Sequence, residues 1–65
     1  MSVPKWTGQL IGKMHNFSVS GIELAKELNC TAEYVSMVLN GKKKPANARE
    51  RFNRAFNAIL ERRKG

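Results

Sequence analysis

An all-α domain of four short helices is what this 65-residue chain predicts, on three observations. Apolar residues recur at spacings of three and four, and no segment alternates with period two, so helices are expected and strands are not. Residues that start helices (Ser20, Thr31, Asn47) and residues that stop them (Asn29, Asn40-Gly41) stand between the apolar runs. Pro4 and Pro45 fall at starts rather than inside a run. The length fits one domain, spanning residues 1–65, with no linker, repeat or low-complexity segment. A chain of this size buries only ~60% of its unfolded surface, which makes a small but sufficient core.

The first helix is expected over residues 5–16. It places Trp6, Leu10, Ile11, Met14 and, just beyond its end, Phe17 on one face, with Gln9, Lys13 and Asn16 opposite. The second is expected over 21–28. Ser20 is its N-cap, Glu23 three residues later completes a capping box, and Val19 with Leu24 forms a hydrophobic staple. Asn29 then sits where the chain must turn through a left-handed conformation, which Asn tolerates better than any residue but Gly.

Thr31 caps a third helix, 31–40, with Cys30 and Val35 as its staple and Asn40-Gly41 as its stop. Val35, Val38 and Leu39 form its inward face. At 100° per residue, Ala32, Glu33, Ser36, Met37 and Asn40 face outward. A basic loop, Lys42-Lys43-Lys44-Pro45, follows. The last helix begins near Asn47, where Asn47 and Glu50 match a second capping box. Its apolar positions are Ala48, Phe52, Ala55, Phe56, Ile59 and Leu60, and Arg62, Arg63 and Lys64 complement the dipole at its end.

Residues 20–41 therefore read as two capped helices joined by a tight turn, the helix-turn-helix pattern, whose second helix is suited to a DNA major groove. This stretch resembles the lambda-repressor-like DNA-binding domains, the family of phage repressors, Cro proteins and small bacterial transcription regulators. The resemblance lies in small Ala25 between Leu24 and Leu28, apolar Cys30 in the turn, the pair Val35 and Val38, and "YVSMVLNGKKKP" as a helix end, an Asn-Gly stop and a basic loop. Asn29 stands where the family usually has Gly. The likeness implies a compact all-α domain of four to five helices that binds double-stranded DNA as a repressor- or Cro-like regulator. It also implies a homodimer on a two-fold site, for which the last helix or its tail is the surface available.

Composition points the same way. Twelve Lys and Arg against five acids give a net charge of +7, which favours a polyanionic partner, nucleic acid before membrane. One Cys cannot form an intramolecular disulfide, and one Cys with one His cannot make a zinc site. No nucleophile–base–acid set, phosphate-cradling Gly loop or metal cluster is present, so no enzyme, cofactor or metal is expected. Without a signal peptide or a membrane-length apolar run, the expected location is the cytoplasm, associated with the nucleoid.

In the family, outward residues in the first two turns of the recognition helix read base edges. Carried over, they are Ala32, Glu33, Ser36 and Met37. Glu33 only accepts and suits the N4 amino group of cytosine, whereas Ala32 and Met37 suit thymine methyls. The plainer account of Glu33 is an acid complementing the dipole in a first helical turn. Donors for phosphates are Thr31, Asn40, Lys42, Lys43 and Lys44, with the Tyr34 hydroxyl at the edge of the face. The family's clasp on the backbone adds Ser20 and Gly21 as hydroxyl or N–H donors. A three-lysine run is ordinarily a solvated loop, but directly after a recognition helix phosphate contact is the stronger reading.

Other residues take simpler roles. Cys30 is expected as a small buried hydrophobe, His15 as an exposed helix residue, and Trp6, Phe17, Phe52 and Phe56 as core rather than a base-stacking platform. Two other functions compete. One is an antitoxin or protein-interaction module whose basic surface meets an acidic partner. The other is a membrane-surface binder using the basic last helix. Lysines flanking the recognition helix favour DNA; cations lining the last helix would favour a membrane.

Overall fold

The computed structural model describes residues 3–64; Met1, Ser2 and Gly65 of the expected domain lie outside the described residues. Four helices and no strands are present among them: α1 (Lys5–Asn16), α2 (Gly21–Leu28), α3 (Ala32–Leu39) and α4 (Ala48–Lys64). The radius of gyration, 11.1 Å, is that of a folded chain of this length. None of these helices is long and apolar enough to cross a membrane.

Each of the first three helices ends in the same way, and this sets where the next one begins. A residue one or two positions past the helix enters the left-handed region: Ser18 at φ 57°, Asn29 at 59°, Gly41 at 79°. Its amide and the next one then close back on the last turn. After α1, Ser18 N–H donates to His15 O (3.3 Å) and Val19 N–H to Met14 O (2.8 Å). After α2, Asn29 donates to Lys26 O (3.2 Å) and Cys30 to Ala25 O (3.0 Å). After α3, Gly41 donates to Val38 O (3.1 Å) and Lys42 to Met37 O (2.9 Å). Asn29 and Gly41 were legible as stops. Ser18 was not, because Ser has no special tolerance for that region. Ser18→Gly is therefore expected to stabilise the fold by about 0.5–1 kcal/mol, the strain relieved less the added freedom of the unfolded chain. Calorimetry should read this as a rise of a few degrees in Tm. An unchanged or lower Tm would mean that the turn carries no strain.

The caps hold in part. Ser20 Oγ accepts from Glu23 N–H (3.1 Å), and Thr31 Oγ1 from Tyr34 N–H (3.0 Å). The reciprocal half of the first capping box does not form, since the Glu23 carboxylate pairs with Arg63 instead. The box expected at Asn47 and Glu50 is absent. Asn47 is left-handed (φ 64°) rather than extended, so its side chain cannot cap, and Glu50 pairs with Arg54 (3.1 Å).

Leu10, Met14, Val19, Leu24, Ala25, Val35, Val38 and Leu39 converge on Ala48, Phe52, Ala55, Phe56 and Ile59 of α4 to form the core. Leu28, Cys30, Tyr34, Leu60 and Trp6 pack partly buried at its margin, Trp6 with its ring edge-on to Phe52 at 5.8 Å. The expected face of α1 needs correction. Ile11 is 44% and Phe17 52% exposed, while Thr7 is fully buried. Thr7, Leu10 and Met14 lie on one line at spacings of three and four, and Ile11 is rotated roughly 70° off its middle. The buried Thr7 hydroxyl is satisfied by donating to Pro4 O at 2.6 Å, which removes the cost of burying it. Phe17 lies beyond the helix, half exposed, with its ring edge-on to Phe56 at 6.0 Å.

Candidate nucleic-acid interface

Alternation of inward and outward positions on α3 decides what the molecule presents there. Val35, Val38 and Leu39 are buried, leaving Ala32, Glu33 and Ser36 exposed and Met37 half-buried beside them. Ser36 and Asn40 are one turn apart, and Asn40 Nδ2 donates to Ser36 Oγ at 3.2 Å, so these two polar groups form a single coupled edge. Tyr34 is half-buried at the edge of this face and packs against the core.

Ser20 and Thr31 are both exposed, and both use their hydroxyl oxygen as a cap acceptor. A hydroxyl that accepts still has its O–H to donate, so capping leaves each able to meet an anion. Gly21 opens α2 beside them. It shares a cleft with Ala32, Ser36 and Asn40 of α3 and with Ile11 and His15 of α1. Those two α1 residues were not singled out for this face. Only the packing of α1 beside α3 brings them there.

Beyond α3 the chain is tied back tightly. Lys42 and Lys43 both donate their amides to Met37 O, at 2.9 and 3.3 Å, which holds the exposed Lys42, Lys43 and Lys44 side chains at the end of α3. Gly41 serves this turn through its positive φ, and a Cβ there would also touch Val3 and Pro4 at 3.6–3.8 Å. Lys43 and Lys44 border a hollow shared with Trp6, Pro45 and Arg49. Arg49 was missed as a neighbour of the basic loop, although its position in the first turn after that loop was a usable signal.

The distribution of charge is the most informative property of the surface. Among the described residues, four carboxylates pair with cations of α4: Glu23 with Arg63, Glu27 with Arg62, Glu50 with Arg54, and Glu61 with Lys64. The acid left without a cation is Glu33, on the outward face of α3. Four of the six cations of α4 are thus paired within the chain, while Arg49 and Arg51 of that helix, Lys42, Lys43 and Lys44 of the loop, and Lys5, Lys13 and Lys26 have no carboxylate partner among the described residues. No family model, curated protein or solved structure matches this chain. Its chemistry has to be read from the surface itself: a helix face with one acceptor-only group, apolar contacts and a hydroxyl, flanked by free cations and capping hydroxyls.

Proposed function

We propose that the chain is a sequence-specific double-stranded DNA-binding protein of the lambda-repressor-like kind, a phage or bacterial transcription regulator that acts by occupying an operator. In this reading residues 20–41 are its helix-turn-helix, and α3 is the recognition helix in the major groove. The carrying observation is Glu33, a carboxylate on the exposed face of α3 with no cation partner among the described residues, and lysines at that helix's end with no carboxylate partner among them. A carboxylate is an asset on a DNA-binding surface only where it meets base amino groups rather than phosphates, and the floor of the major groove offers them. Ala32 and Met37 then face thymine methyls and Ser36 a base edge. Ser20, Gly21, Thr31, Asn40 and Lys42–Lys44 hold phosphates, which sets register without reading sequence. Tyr34, at the edge of the face, adds its hydroxyl to these donors. The apolar face of α4, with Phe52, Phe56 and Ile59 buried in the core, weighs against a membrane-surface role.

A gel shift with random duplex DNA at two salt concentrations, followed by in vitro selection of binding sites, tests the reading. Palindromic selected sites with half-sites one helical turn apart are expected if two copies bind as a homodimer. Absence of any salt-sensitive duplex binding would reject DNA as the partner and leave the antitoxin or protein-interaction reading. Glu33→Gln should change the preference at one base pair by roughly 5- to 150-fold, the range for one good base contact, because Gln can pair with adenine. Met37→Ala should separately lower the preference for a thymine. Selected-site profiles that are identical for wild type and both variants would remove this face from the readout.

A further inference from the structure

Arg63, near the end of α4, makes contacts that helix-dipole complementation does not require. Its Nη1 donates to Phe17 O (2.6 Å), and its Nη2 to Ser18 O (3.2 Å) and to both oxygens of Glu23 (2.8 and 3.1 Å). One guanidinium therefore holds the turn between α1 and α2 and the first-turn carboxylate of α2, across 40 to 46 residues of sequence. In a complete capping box that carboxylate would fold back onto Ser20 N–H and sit over the start of α2. Drawn to Arg63, it does not. The Ser20 amide is consequently left without an acceptor among the described residues, beside those of Gly21 and Ile22, which are free as in any first helical turn.

We infer that Arg63 is a positioning residue for DNA binding: it withdraws and neutralises Glu23, so that the start of α2 stays open to a backbone phosphate. The inference rests on the DNA-binding reading above. A phosphate at Ser20 and Gly21 would otherwise meet a negative charge in the same turn and compete with it for the same donors. Arg62 provides the internal comparison. It carries the same charge one residue away, but pairs with Glu27 in the last turn of α2, where no phosphate is expected.

The test measures affinity for a selected duplex, well below the melting temperature of each variant. Arg63→Ala is expected to bind roughly tenfold more weakly, the scale of one charge-assisted hydrogen bond, and Arg62→Ala much less so. Adding Glu23→Ala, which removes both the charge and the acceptor, to Arg63→Ala should restore most of the affinity while leaving Tm near the Arg63→Ala value. A purely structural role would not separate these two quantities. Equal losses for Arg62→Ala and Arg63→Ala would overturn the inference. So would failure of Glu23→Ala to restore binding, which would make Arg63 a direct phosphate contact or a structural clasp. If Arg63→Ala does not fold, Arg63→Gln keeps an amide donor for the Phe17 carbonyl without the charge and is read by the same criteria. Wild-type protein that binds no duplex would instead defeat the DNA-binding reading itself.

Discussion

Replacing Lys42, Lys43 and Lys44 together with Ala is expected to weaken duplex DNA binding on the order of 100-fold near physiological salt. Each lysine that meets a phosphate releases about 0.9 counterion, so losing three removes roughly 2.7 from the log–log salt slope. With four to six phosphate contacts per protomer, the wild-type slope should be roughly −4 to −5. Less than half of it would remain. The loss should be similar for selected and random duplexes, because phosphate contacts carry no sequence information. Stability should move little, since all three side chains are exposed and the backbone bonds of Lys42 and Lys43 to Met37 O survive the substitution. Titrations at several salt concentrations read the slope directly. A slope unchanged in the triple variant would mean that the loop is merely solvated, and would transfer the charge argument to Arg49 and the α1 side of the face.

Phe52→Ala is expected to leave the chain largely unfolded at 37 °C. Phe52 is the largest side chain with almost no exposed surface, and its ring meets Trp6 edge-on. Truncating a buried Phe costs ~3–5 kcal/mol, the lost burial plus the cavity that remains. A 65-residue domain has roughly 3–10 kcal/mol in total, at 0.05–0.15 kcal/mol per residue. The substitution therefore removes most of the available stability, whereas Phe52→Leu, which keeps much of the volume, should retain a cooperative transition at lower temperature. Circular dichroism during urea or thermal unfolding distinguishes the two. A Phe52→Ala protein that melts like wild type would show that α4 is not the centre of the core.

What the sequence determined by itself was local. Apolar spacing placed all four helices, and short side chains able to cap or to turn left-handed placed their ends at Ser20, Asn29, Thr31 and Gly41. These features act within four or five residues, through backbone geometry that any such segment experiences. The outward set on α3 followed from the same geometry once Val35, Val38 and Leu39 were assigned inward.

Tertiary structure decided matters that depend on neighbours far along the chain. Glu23 had the right spacing for a capping box, but the approach of Arg63 from 40 residues away offered it a charge-assisted partner, and the local bond lost. Asn47 had the right identity for a cap, yet the closing of the basic loop onto α4 set its backbone to the left-handed region instead. Thr7 displaced Ile11 from the core because the line of contact along α1 is fixed by where α3 and α4 lie, and its hydroxyl found a carbonyl within its own first turn. The pairing that leaves Glu33 as the acid without a cation is likewise a property of the assembled helices: a list of charges carries no information about which of them meet.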